Sequence, residues 1–155
     1  MNDEELLQSD EFIKFSNALT TPLTMQVSDM NDLYNKNNKD LRSELKKDWV
    51  IGYIFGWTNF LYQQSSFGEI SKTGFWYILY GIYSKWKISG LDEFSEHRPF
   101  FKKIEKKIDK KNNELFKGFE KGHEDAVFNL KNRGKGVGHK ISLKRYLQEQ
   151  VKVIK

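Results

Sequence analysis

From Asp40 onward, Leu41, Leu45, Trp49, Gly52, Gly56 and Phe60 recur at steps of three or four residues, which places them on one stripe of an α-helix. Beyond Trp49 apolar residues surround that stripe. The second half of this helix is therefore expected at the centre of the fold, with Ser65, Ser66 and Gly68 ending it. Upstream, acids alternate with Leu6, Leu7, Phe12, Ile13, Phe15 and Leu19. That spacing predicts one or two helical pieces stopping before Thr20, Thr21 and Pro22. Residues 20–39, with Pro22, a capping pair at Ser28-Asp29 and the Asn-rich NKNNKD, read as loop with one short helix.

The run FWYILYGIYSKW, Phe75 to Trp86, is aromatic and β-branched enough for a buried strand. No second run of comparable quality exists to pair with it, while Thr73 before it and Gly90 after it suit the ends of a helix. A helix is the expectation. In the last third, Pro99 suits a first helical turn, and Ile104, Ile108, Leu115, Phe119, Ala126 and Leu130 continue a helical stripe that Asn112-Asn113 can interrupt. RGKGVGHK then connects to a last helix, capped by Ser142, with Leu143, Tyr146, Leu147 and Ile154 on its apolar side. The pattern predicts an all-α protein: one compact domain over residues 1–155, of about five to seven helices.

Composition narrows the function more than the fold. The core must be built from few but bulky side chains, since apolar residues make up only 38% of the 155 while twelve Phe, seven Tyr and four Trp are present. The absence of Cys excludes disulfides, thiolate zinc sites and Cys nucleophiles, and suits a reducing cytoplasm. The acidic start MNDEELLQSDEF lacks the basic and apolar regions of a secretory signal. Trp49–Tyr62 and Phe75–Ile82 fall short of the roughly 20 apolar residues that span a bilayer, so no membrane span is expected.

Charge is unevenly divided. Residues 1–98 carry 10 Lys or Arg against 14 Asp or Glu, and residues 99–155 carry 16 against 7, balances of −4 and +9 within a net +5. Such a division can steer an acidic partner to one face. In KKIEKKIDKK, Lys102, Lys103, Lys106, Lys107, Lys110 and Lys111 flank Ile104 and Ile108; the bland account is a solvated helix face, the functional one a docking surface for acidic groups. Arg133, Lys135, Lys140, Lys144 and Arg145 extend the candidate surface.

Two stretches share a pattern. GYIFGWTNF from Gly52 and GFEKGHEDA from Gly118 each place Gly at i and i+4, and each such Gly costs about 1 kcal/mol relative to Ala in a helix. A notch for close helix packing is the reading that compensates for that cost. The second stretch also puts Glu120, His123 and Glu124 on one helical face, the Glu-x-x-His spacing of metal-binding bundles. Those bundles need a second copy and two further carboxylates. Here the matching positions of the first stretch are Ile54 and Trp57, which favours a polar face paired with Lys117 and Lys121 over a metal-dependent enzyme. His97 stands at the wrong spacing from Glu93 and Glu96, and His139 falls in the Gly-rich connection. The loop Gly134–His139 is not a phosphate loop, because Ile141 rather than Ser or Thr follows Lys140.

With no catalytic set, cofactor motif or metal set in the sequence, the expected function is a non-enzymatic cytoplasmic binding protein. It would cover a partner with an acidic surface, as an immunity protein neutralises a toxin. Nucleic-acid binding through the basic last third is the alternative.

Overall fold

The computed structural model describes residues 2–88, 98–136 and 138–152. Its helices are α1 (Asp3–Gln8), α2 (Asp10–Ser28), α3 (Asn31–Lys36), α4 (Leu41–Leu45), α5 (Asp48–Gln64), α6 (Thr73–Lys85), α7 (Arg98–Asp109), α8 (Glu114–Lys131) and α9 (Ser142–Lys152), with a 3₁₀ turn at Ser66–Glu69. Among the described residues there is no strand, and the fold is all-α. No helix among them is long and apolar enough to cross a membrane.

Helix α5 is the axis of the core, with every residue from Val50 to Thr58 buried. Such burial on all sides is why its apolar residues fill the whole circumference rather than one stripe. Its neighbours hold it through the polar tips of aromatic side chains. The Trp57 indole N–H donates to the Leu19 carbonyl on α2 at 3.0 Å, and the Tyr83 hydroxyl on α6 donates to the Ile51 carbonyl at 2.9 Å. Each bond satisfies a group that would cost about 1–3 kcal/mol if buried alone. A core rich in Tyr and Trp is thus compatible with burial.

The structure departs from the sequence pattern in three places. Helix α2 does not stop before Thr20; it runs through Pro22 to Ser28 and takes up the first part of the loop expected over residues 20–39, in which α3 is the short helix expected. Proline lacks the N–H that would bond to Ala18, a cost of about 3 kcal/mol in a helix interior. The Thr20 and Thr21 hydroxyls turn back onto the Asn17 carbonyl, and the buried stripe Leu19, Leu23 and Val27 continues across the proline. Burial of that stripe outweighs the missing bond, at about 1.5–3 kcal/mol per side chain.

Second, the helix expected from Asp40 is divided by Lys47, whose backbone is extended at φ −68°, ψ 146°. Lys46 and Lys47 stay in water while Leu45 and Val50 on either side are buried. The turn lets α5 enter the core without taking two ammonium groups with it. Third, α6 is a helix, but Lys87 rather than Gly90 takes the left-handed position after it, at φ 55°. The Lys87 and Ile88 N–H groups close back on the Ser84 and Tyr83 carbonyls, a Schellman end. Gly90 lies outside the described residues, as do His97 and Ile154.

Helices α5 and α8 make the closest contact in the fold, and the glycines make it possible. A methyl group at Gly52 would overlap the Leu115 carbonyl, and one at Gly56 the Phe119 carbonyl. Reciprocally, a methyl at Gly118 would overlap the Trp49 carbonyl and one at Gly122 the Tyr53 carbonyl. Residue numbers rise together on the two sides, so the helices run parallel. Each glycine faces the carbonyl three residues before its counterpart on the other helix. Backbone meets backbone across the seam, where ordinary helix pairs interpose side chains, and the Cα–H groups of the glycines point at carbonyl oxygens.

Gly81, in the middle of α6, has nothing within 4 Å of the position its Cβ would occupy. The two kinds of glycine should respond oppositely to the same change. Gly56→Ala is expected to lower unfolding free energy by about 3 kcal/mol because a rigid carbonyl blocks the methyl, and Gly118→Leu or Gly122→Leu to prevent folding. Gly81→Ala should raise it by up to about 1 kcal/mol. Urea denaturation of the variants reads both signs.

Candidate functional site: a basic cleft between α8 and α9

The α5–α8 pair supplies the floor of an open cleft. On α5, Trp49, Tyr53 and Trp57 recur every fourth residue and stack in sequence, with ring centroids 5.4 and 6.5 Å apart and planes within 19°. Tyr146 of α9 completes the column, lying on Trp49 at 4.2 Å and 7°. Trp49 and Tyr146 are half-buried, so the outer end of the column reaches the surface.

Helix α9 is brought to that column by two buried polar side chains. The Asp125 carboxylate, 2% exposed, accepts from the Tyr53 hydroxyl at 2.6 Å, from the Ser142 N–H at 3.0 Å and from the Ser142 hydroxyl at 2.9 Å. The Gln26 side-chain oxygen accepts from the Lys144 N–H at 3.0 Å. Together they satisfy two of the N–H groups that the start of a helix leaves without partners, and the carboxylate complements the positive end of the helix dipole. Ser142, expected as the cap, is itself capped by a side chain from another helix. The Tyr34 hydroxyl holds the far part of α9 by donating to the Leu147 carbonyl at 2.7 Å. Burial, followed by the charge of Asp125, holds the Tyr53 phenol protonated to well above its ordinary pKa of 10.0. Burial likewise raises Tyr34 and Tyr83.

The cleft so formed has a volume of about 390 Å³ and is walled by Trp49 and Tyr146 with Lys117, Lys121, Lys140 and Arg145. Glu149 is the acid among its described lining residues. Lys117 pairs with Glu114 at 3.0 Å and Lys121 with Glu124 at 3.4 Å, each pair largely exposed. Exposed pairs of this kind are worth about 0–1 kcal/mol, so both ammonium groups can exchange their partner for an incoming anion. Lys140 sits 4.9 Å from the centroid of the Phe128 ring, while its N–H donates to the Asn129 side chain at 2.8 Å. The cations are thus placed on a framework whose backbone is fixed at several points.

Of the basic residues singled out in the sequence, Lys140 and Arg145 line this cleft. Lys144 points elsewhere, to Asp29 at 3.2 Å, and Arg133 lines a different cavity. Lys107 pairs with Asp48 at 3.4 Å; Lys102, Lys103, Lys106, Lys110 and Lys111 are exposed along and after α7, and Lys135 is exposed in the turn after α8. Sequence reasoning passed over Trp49, Tyr146, Lys117 and Lys121 as site residues. The signal available for the lysines was their i, i+4 spacing around Gly118 and Gly122, which places them on the flank of the packed face.

Glu120, His123 and Glu124 are exposed, and the His123 ring packs edge-on to Phe60 at 4.9 Å. Among the described residues no three His, Cys, Asp or Glu side chains are grouped as metal ligands. Comparison with known protein families, curated proteins and solved structures finds no match.

Asp125 and His123, both on α8, should separate on mutation. Asp125→Ala strands three donors and is expected to cost about 3 kcal/mol or more of stability. His123→Ala should cost less than about 1 kcal/mol. Thermal melts of both variants decide the matter. The raised tyrosines also give a sign to the pH dependence. Their contribution is present below pH 10 and is lost as pH climbs above it, because the unfolded chain deprotonates first. Denaturation between neutral pH and pH values above 10 should show that fall, and Tyr53→Phe should make it shallower.

Proposed function

We propose that this protein is a non-enzymatic binding protein that covers an acidic surface of a protein partner, acting in the cytoplasm in the manner of an immunity protein that neutralises a toxin. The observation that carries the reading is the basic cleft: four cations around an aromatic pair, with Trp49, Lys117 and Lys121 on the closely packed α5 and α8, Arg145 and Tyr146 on α9, and Lys140 in the connection before it. The stacked Trp49 and Tyr146 rings are held in place before binding and lose little entropy when the partner arrives. Trp, Tyr and Arg are the residue types that most often dominate interface energies, and all three stand at this cleft. The most deeply buried acid is already committed to holding α9, which leaves the surface charge as the feature available for recognition. The charge division between residues 1–98 and 99–155 supports fast, steered encounter.

Nucleic-acid binding is the second reading, favoured by the same aromatic column, because a base can stack on a ring that stands beside cations. The two readings separate in one experiment. The purified protein is titrated calorimetrically with the protein encoded beside its gene, and in parallel with single- and double-stranded oligonucleotides at low salt. The expected outcome is one-to-one binding of the protein, weakened by salt and reduced about tenfold or more by Arg145→Glu or Lys121→Glu. Binding of oligonucleotides instead, with a steep salt dependence, would replace the first reading by the second. Protein binding that ignores both charge reversals would move the interface away from the cleft.

A further inference from the structure

A second cavity, of about 560 Å³, lies between α2, α5 and the end of α8 and shares no residue with the basic cleft. Its walls are Phe15, Leu19, Pro22, Trp57, Leu61 and Leu130. Gln64, Ser65 and Asn129 line it as well, and three of the four uncharged polar side chains of Trp57, Gln64, Ser65 and Asn129 are already engaged. The Trp57 indole N–H is given to Leu19, the Ser65 hydroxyl donates to the Tyr62 carbonyl at 2.6 Å, and the Asn129 side chain accepts from Lys140. An occupant therefore finds hydrocarbon and ring surface inside and few groups with which to form hydrogen bonds. Leu130 is 39% exposed at the edge, more than an apolar side chain needs if its neighbours could close over it.

The rim is different. Lys14, Arg133 and His139 line the cavity, and among the described residues no Asp or Glu does. The register of the helices puts the first two at one end. Phe15 meets Tyr62 and Phe67, beyond the middle of α5, while Leu19 meets Trp57, so α2 runs antiparallel to α5 and Lys14 stands where α5 finishes. Helix α8 runs parallel to α5 through the glycine contacts, so Arg133, two residues past its last turn, stands at that same end. The cavity is apolar along its length and cationic at one end.

We propose that this cavity binds a single-chain alkyl carboxylate, with the hydrocarbon along Leu19, Pro22 and Trp57 and the carboxylate shared between Lys14 and Arg133. The chemistry follows from the lining: burial of CH₂ groups drives entry, and a carboxylate offers two oxygens to a guanidinium fork and an ammonium. The volume falls within the range of small-molecule sites. The inference is independent of the acidic partner proposed for the cleft.

Calorimetric titration with sodium dodecanoate, kept below the concentration at which it forms micelles, tests it directly. One-to-one saturable binding is expected. Dodecan-1-ol should bind at least about tenfold more weakly, and the Lys14→Ala/Arg133→Ala double variant should lose a similar factor for dodecanoate while keeping its thermal melt. Leu130→Glu, at an exposed position, should abolish binding without unfolding the protein. Absence of saturable binding, several molecules bound per chain, equal affinity for the alcohol, or unchanged binding in Leu130→Glu would each overturn the proposal. Tighter binding of dodecyl phosphate than of dodecanoate would overturn the carboxylate assignment.

Discussion

The direct contact of two helix backbones, α5 against α8, is the constraint on which the other packing depends. Four glycines remove the side chains that would keep the helices apart, and in each case the space goes to a carbonyl group of the opposite helix. Mid-helix glycine costs about 1 kcal/mol per residue relative to Ala, so the arrangement exists only because the packing returns more than that. It returns it in two forms: Cα–H to carbonyl contacts across the seam, and the enclosure of α5 by α2, α6 and α8, which buries nine consecutive residues from Val50 to Thr58.

The surface features follow from that seam. Parallel alignment in a single register sets Asp125 of α8 beside Tyr53 of α5, and the carboxylate that Tyr53 bonds is the one that caps α9. Where α9 begins is thus decided by a residue whose position the glycines determine. Its docking lays Tyr146 on Trp49 and closes one wall of the basic cleft, while the opposite edge of α8 closes the apolar cavity with α2. Two recesses of different chemistry, one cationic and one apolar with a cationic end, stand on the two sides of one helix.

Much of this architecture is legible in the sequence because helical periodicity is a local property. The interruption at Asn112-Asn113 appears as the boundary between α7 and α8, with the Asn113 side chain accepting from the Phe116 N–H as a cap. The glycine notches are legible too, since no other property of Gly52, Gly56, Gly118 and Gly122 compensates for their helical cost. Pro22 misled because the stripe that carries α2 across it is a tertiary effect: Leu19, Leu23 and Val27 are worth more buried than the proline costs, and burial is not visible in a local pattern. The cleft was half legible. Lys140 and Arg145 stand out in a basic segment, but Trp49 and Lys117 are separated by 68 positions and meet only because α5 and α8 run parallel. Asp125 carried no local signal at all, since its partners are Tyr53 and Ser142, one on an earlier helix and the other beyond the Gly-rich turn.

Native-state hydrogen exchange tests the dependence most directly, because it reads the stability of each helix separately. Amides in the middle of α5 and α8 are predicted to exchange only through global unfolding, with a common free energy equal to that from denaturation. Those of α7 and α9 should open at lower free energy, independently of the seam. If α5 or α8 exchanged through a smaller opening while α9 remained protected, the glycine seam would not be the element on which the rest of the structure depends.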